Sequence, residues 1–218
     1  MPERAARARR IRGWITLSTV TCDMAMSVDG YVAGPDQDRD NPLGVGGRAV
    51  HEWHLGDVTH EADTTAQGWL MRPRGAYVMG RNMFGPIRGD WGDEDWRGWW
   101  GDEPPYHAPV FVLTHHARDS IEMAGGTTFH FVTGGIDEAL KLAREVAGER
   151  NVAIAGGAAT VNQFLARGLI DELRLHIAPV LLTRGERLFE GVERTELEQV
   201  AARSTGMVTH LTYAVKPC

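Results

Sequence analysis

The sequence predicts an α/β fold with a mixed sheet, and three observations carry that expectation. Short apolar runs of the kind that form buried strands alternate along the chain with stretches of helical periodicity. Between Asn151 and Arg167 a strand, a glycine pair and an amphipathic helix follow one another without interruption. Late in the chain, strand-like segments recur without helices between them, so part of the sheet must be antiparallel.

The segment from Asn151 to Leu182 is the most informative. Val152-Ala153-Ile154-Ala155 reads as a strand buried on both faces, and Gly156-Gly157 breaks it. In the helix that follows, Val161, Phe164 and Leu165 fall at i, i+3 and i+4, and Gly168 suits the position just past its end. A strand turning through two glycines into a helix leaves backbone N–H groups free at the helix start, where an anion such as a phosphate is favoured. The same pair also serves as a plain tight turn, so both readings stay open. Leu173, Leu175 and Ile177 then alternate with Arg174 and His176 as a strand, with Pro179 marking its bend or edge.

With 218 residues and no apolar run of membrane-spanning length, one soluble domain is expected, and no membrane partner. Cys22 and Cys218 are isolated near opposite ends, which indicates neither a disulfide framework nor zinc and fits a reducing cytoplasm. Residues 1–20 carry five arginines against Glu3, a formal +4 that leaves −10 for the rest of a chain of net charge −6. That head reads as a disordered tail, with residues 21–218 as one domain. An acidic body of this kind argues against nucleic acid as the main partner.

In chain order, residues 22–27 read as a first strand, and Asp29-Gly30 as a turn into a short extended return. Asp29 is a catalytic candidate, or it bonds its own backbone at the turn. Residues 34–48, rich in glycine and proline, form a long irregular loop, either a mobile lid or a ligand-covering segment. His51, His54 and His60 lack the i, i+4 spacing of the zinc-protease pattern, and a partly exposed helix face is expected there. Residues 61–72 read as a helix with Asp63 near its start, as a cap or as a catalytic carboxylate. Residues 75–80 are a buried strand ending at Gly80, with Arg81, Asn82 and Met83 directly beyond. Trp91, Trp96, Trp99 and Trp100 crowd the next loop, and must cover a core edge, a second subunit or a ligand. Residues 109–114 and 128–132 are further strands. Ile136, Ala139, Leu140, Ala143 and Ala147 mark an amphipathic helix. Met207 to Val215 alternates as a terminal strand.

In this order, MAMSVDGYVAG, AYVMGRNMF, PVFVLTHH and VAIAGGAATVNQFLARGLIDELRLHIAPVLL resemble the dihydrofolate reductase-like superfamily. More closely they resemble the C-terminal reductase domain of the bifunctional riboflavin-biosynthesis protein. The likeness covers roughly residues 21–216. The zinc-ligand spacing of the accompanying deaminase is missing, so a stand-alone reductase-like chain is expected. The resemblance implies a three-layer α/β/α sandwich, a mainly parallel sheet with an antiparallel C-terminal edge, NADPH as hydride donor, and a homodimer. Carried over by position, Ala155, Gly156, Gly157, Ala158, Ala159 and Thr160 would hold the pyrophosphate, with Gly80, Arg81, Asn82 and Met83 on its other side. Arg81 would take the adenosine 2′-phosphate, for which a guanidinium fork is well shaped. Thr114 and His115 would stand beside that phosphate, and Ala25 and Met26 would run along the nicotinamide.

The carboxylate that folate-reducing members carry on the first long helix would fall near Thr64, one residue from Asp63. A one-residue slip turns a helical side chain by about 100°. Arg48 or Arg184 are the candidates for a ribose phosphate. The expected activity is hydride transfer from NADPH to a small heterocycle or carbonyl, of the 5-amino-6-(5-phosphoribosylamino)uracil type. The alternatives are a catalytically silent nucleotide-binding protein, a true dihydrofolate reductase, or a nucleic-acid-associated protein acting through its arginine head.

Overall fold

The computed structural model describes residues 18–92 and 95–216. The arginines of the head (Arg4 to Arg12) and Cys218 lie outside the described residues. The first strand, β1 (Val20–Ser27), starts inside the segment read as tail, and Ser18 just before it is buried.

The remaining elements are β2 (Tyr31–Ala33), α1 (Glu52–Leu55), α2 (Glu61–Leu70), β3 (Ala76–Gly80), α3 (Arg81–Phe84), β4 (Pro109–Leu113), β5 (Ile121–Glu122) and β6 (Thr128–Val132). Then follow α4 (Gly135–Ala147), β7 (Val152–Gly156), α5 (Ala158–Ala166), β8 (Glu172–Ala178), β9 (Glu186–Arg187), β10 (Leu197–Ser204) and β11 (Thr209–Val215). Among the described residues, nine strands form one sheet in the order β10-β11-β8-β1-β7-β3-β4-β6-β5, and β2 pairs with β9 apart from it. The six central strands run parallel, while β11, β10 and the short β5 are antiparallel to their neighbours. The antiparallel C-terminal edge is therefore present, and the opposite edge is antiparallel as well.

Helices α4 and α5 cover one face. The five apolar positions expected on α4 are all buried, against Val78, Phe111 and Ile154 of the sheet among others. Helix α5 buries Val161, Phe164 and Leu165 in the same cluster. It stops in a Schellman arrangement: Gly168, at φ 60°, donates to Leu165 O, and Leu169 N–H donates to Phe164 O. The other face is covered by α1, α2 and the tryptophan loop. There Tyr77, Met79, Val110, Val112 and Phe129 form a second core, and Trp53, Ala66 and Val208 a third.

The strands depart from a simple alternation in two places. Arg174 and His176, the polar phase of β8, are as buried as its leucines, because α1 and α2 close over the face they occupy. The terminal strand begins at Thr209; Met207 belongs to the exposed turn from β10, a strand whose burial pattern carries no apolar phase. No described helix is long and apolar enough to cross a membrane.

Candidate active site

A cleft of about 1100 Å³ opens where the parallel strands end and extends along the α2 face of the sheet. Its size and concavity suit a ligand considerably larger than a metabolite fragment. The two sequence-predicted glycine turns meet at one end of it. There the chain leaves β7 through Gly156 and Gly157, whose peptide is cis, and enters α5. A Cβ built on Gly157 would meet no protein atom within 4 Å. Residue 157 thus offers bare backbone to the cleft at a helix start, with Thr160 and Val161 N–H already directed onto its carbonyl.

On the facing side, Arg81 stands at the first position of α3. Its guanidinium carbon lies 3.7 Å from the centroid of Trp91, and that indole is flanked by Arg118 at 4.8 Å. One Arg81 nitrogen donates to Gly89 O, while Nε and Nη2 are buried without a partner. Burial, followed by the nearby Arg88, pushes the Arg81 guanidinium below its ordinary range, with Arg118 acting in the same sense. These donors lie among three guanidinium groups, with Asp90 the carboxylate that acts on Arg81 in the opposite sense. The tryptophan loop is pinned around α3: Trp96 Nε1 donates to Phe84 O at 2.9 Å, Trp99 Nε1 to Asn82 O at 3.2 Å, and Trp91 Nε1 to His116 O at 2.9 Å. Trp99 and Trp100 themselves line the cleft.

At the other end, the wall is made by Asp23 and Ala25 of β1 and His176 of β8, with His51 and His54 from the helix side. Asp23 is held by two buried guanidiniums, Arg74 at 3.6 Å and Arg174 at 3.3 Å. His176 is cross-strand partner to Ala25 on one side and to His210 on the other. Directly opposed residues share a face of the sheet, so the two imidazoles stand side by side. Their Nδ1 atoms are 2.7 Å apart, and His210 Nε2 lies 2.8 Å from Asp63 Oδ1. Trp53 packs on both rings, at 4.7 and 4.9 Å. His51 and His54 form a second pair at 3.1 Å.

Of the residues singled out in the sequence, Ala25, Gly80, Arg81, Asn82, Met83, Thr114, His115, Ala155, Gly157, Ala158, Ala159 and Thr160 all line this one cleft. Met26 does not: it falls on the opposite face of β1 and is buried in the α4–α5 core. Gly156 lies behind the cleft surface, at φ 107°.

Asp29 is a clasp between two turns. It accepts from the Ser27 hydroxyl and from the backbone N–H groups of Leu182 and Thr183. Those bonds, the Ser27 one foremost, hold its carboxyl below the usual range, and it stands outside the cleft.

Asp63 is buried and turned onto His210 rather than into the cleft, and the cap of α2 is His60, whose Nδ1 accepts from Ala62 N–H. Thr64 bonds back to His60 O at the exposed surface. Neither Arg48, paired with Glu52 at 2.9 Å, nor Arg184 lines the cleft, whereas Arg74 and Arg88 do. Of the 34–48 loop, Gln37, Pro42 and Leu43 reach the rim. Sequence reasoning missed His176 and His210 as a pair; their signal was a histidine in the polar phase of each of two late strands.

The architecture is a dihydrofolate reductase-like fold: a central parallel sheet whose strand ends, with a glycine turn into a helix, form one long cleft. Residues 18–211 match the RibD C-terminal domain, and the chain belongs to that family.

Among solved structures, a protein described as a riboflavin biosynthesis protein from Shewanella sp. PV-4 superposes with a TM-score of 0.63 at 23% identity, covering 91% of this chain and 99% of that one. The riboflavin biosynthesis reductase of Saccharomyces cerevisiae gives 0.54 at 14% identity, over 92% of this chain and 90% of that one. Dihydrofolate reductase from Enterococcus faecalis, complexed with NADP(H), gives 0.54 at 15% identity, over 91% and 97%. At such identities these likenesses speak for the fold. No curated protein matches the chain in sequence.

Proposed function

We propose that this chain is an NADPH-dependent reductase that delivers a hydride to a C=N or C=O carbon of a small heterocyclic substrate, of the 5-amino-6-(5-phosphoribosylamino)uracil type. The observation that carries the reading is the continuity of the cleft. It joins an anion-ready end, built from Gly157, the α5 start and Arg81, to a polar end on β1 and β8. The residues present fit the cofactor: an open backbone approach at Gly157 for the pyrophosphate, and unpartnered Arg81 donors for a 2′-phosphate. NADPH, when bound, supplies the hydride. The chain's part is to orient both reactants and exclude water.

Arg81 would distinguish NADPH from NADH, and Ala25 would lie along the nicotinamide because β1 carries it to the cleft wall at the end away from Arg81. Arg88 is the cleft-lining cation available to a substrate phosphate, whereas Arg74, also on the cleft wall, is engaged by Asp23. The folate-type alternative finds less support, since the α2 carboxylate that would meet a pterin faces His210 instead.

Titration of the purified protein with NADPH and with NADH, followed by quenching of tryptophan fluorescence, tests this reading. Trp91 stacks on Arg81 and Trp99 and Trp100 line the cleft, so binding is expected to quench. Tight NADPH binding with at least tenfold weaker NADH binding is expected. Equal affinity, or no binding of either, would overturn it.

A further inference from the structure

The reduction proposed above adds a hydride to carbon and therefore needs a proton for the neighbouring nitrogen or oxygen. Asp63 cannot give it directly, because it is buried behind His210 and outside the cleft. At this end of the cleft, His176 is a wall residue whose Nε2 is buried without a hydrogen-bond partner. That nitrogen lies 3.9 Å from Oδ1 of Asp23, another wall residue, while the Nδ1 edge of the same ring is turned to His210.

We propose that Asp63, His210 and His176 form a proton relay that ends at His176 Nε2, and that this atom is the proton donor of the cleft. The proposal rests on the reductase reading for its purpose, though not for its chemistry.

The tautomers follow from the partners. The Asp63 carboxylate accepts only, so His210 Nε2 must carry a proton. With His210 neutral, its Nδ1 is an acceptor, His176 Nδ1 must donate to it, and His176 Nε2 faces the wall as a bare lone pair. Add one proton to the chain and the pattern reverses. His210 becomes an imidazolium with both N–H groups engaged, one to the carboxylate and one to His176 Nδ1. His176 is then neutral with its proton on Nε2, a donor towards the cleft.

In the unloaded state both rings are neutral; in the loaded state the positive charge sits on His210, 2.8 Å from a carboxylate, and never on His176. This arrangement agrees with the environment of His176. Burial first, then His210 and His54, push its own pKa down to about 3, so a charge resident on that ring is strongly disfavoured.

In the reaction the balance is simple. The hydride and its electron pair go from the cofactor to the substrate carbon, and the C=N or C=O π bond opens onto the heteroatom. The heteroatom takes the proton from His176 Nε2, directly or through one water. His210 Nδ1 returns a proton to His176 Nδ1, leaving His210 neutral beside Asp63. A solvent proton entering the emptied cleft at Nε2 restores the loaded state. His176 is thus the donor, while His210 and Asp63 are positioning residues that act through it. The charged or titratable groups facing the pair are Asp23 on β1, Arg174 on β8, Asp63 on α2, His51 and His54 beside Trp53, and Arg203, the register partner of His210 on β10.

The test is ¹⁵N NMR of the histidine side chains in the full chain without cofactor, between pH 5 and 9. As pH falls, His176 is expected to pass from the Nδ1–H to the Nε2–H tautomer while staying neutral. His210 should become an imidazolium at the same midpoint. Asp63→Asn, which removes the carboxylate beside His210, should move the tautomer change to lower pH. A His176 ring that keeps one tautomer throughout, or that itself becomes charged with His210 neutral, would overturn the relay; the unaltered protein alone decides this if the variant does not fold. NADPH titration of the same sample separates the two readings. Cofactor binding without the tautomer change sinks the relay alone, and a tautomer change without cofactor binding sinks the reductase reading while the proton switch stands.

Discussion

Gly80 and Thr160 touch so closely that a Cβ on residue 80 would lie 2.5 Å from Oγ1 of Thr160. This contact seats the start of α5 on the end of β3 and so sets the distance between the two cleft walls that carry Gly157 and Arg81. Gly80 has φ −77°, a value open to any residue, so space rather than backbone conformation requires glycine here. Gly80→Ala should therefore cost about 1–3 kcal/mol, the usual effect of adding a methyl group to a packed site. Thr160→Ala removes the obstructing oxygen, and the double variant should recover most of that loss. Urea unfolding of the four proteins measures the coupling, and additive losses would mean that the contact is not the cause.

Gly157 makes the opposite case. A Cβ there points into open space, and its backbone at φ −74°, ψ −166° is extended. Gly157→Ala should leave the unfolding midpoint nearly unchanged while weakening NADPH by tenfold or more, because in the proposed reading the methyl group would occupy the approach of the pyrophosphate. Thermal denaturation and a fluorescence titration on the same variant check both halves. Unaltered affinity would show that the glycine pair is only a turn.

Arg81 carries the preference between cofactors in the proposed reading. A charge-assisted hydrogen bond contributes about 1.5–3 kcal/mol, so Arg81→Ala should reduce NADPH affinity about 10- to 100-fold and leave NADH affinity within about twofold. Arg81→Lys should recover only part of this, since an ammonium cannot fork onto the phosphate or lie flat on Trp91 as the guanidinium does at 3.7 Å. The measurement is the ratio of the two dissociation constants in each variant.

How much of this was legible beforehand depended on whether a feature is local. The glycine turns, the α4 stripe and the Schellman end of α5 are fixed by residues a few positions apart, and periodicity discloses them. The strand β10 was not legible, because both its faces meet solvent and its pattern has no apolar phase to reveal. The histidine pair is non-local in a stronger sense. His176 and His210 meet through the β8–β11 register, and Asp63 and Trp53 come to them from helices more than a hundred residues earlier. Alternation along β8 marks His176 as polar-facing, which ordinarily means solvent; only the packing of α1 and α2 over that face turns it into a buried site. Asp63 shows the same limit. The sequence places a carboxylate in the first turn of α2, and its direction depends on the helix's rotation about its axis.

Burial of imidazoles makes stability depend on pH with a definite sign. His51 is held down to about 4, by burial first and then by His54, and His176 is held down to about 3. An unfolded histidine titrates near 6.5. Between these values the unfolded chain binds more protons than the folded one, so stability rises with pH through this window and is lost as pH falls below about 6.5. Each such histidine contributes a slope of at most about 1.4 kcal/mol per pH unit. Urea midpoints should thus decline steadily from pH 7 to pH 5, before carboxylates with ordinary values begin to protonate. His51→Gln removes one titrating ring from the more open pair, leaves the Asp63–His210–His176 chain in place, and should make that decline shallower. A midpoint that stays level to pH 5, or a slope that His51→Gln leaves unchanged, would mean that these rings are hydrated in the folded protein and that the face under α1 is open to water.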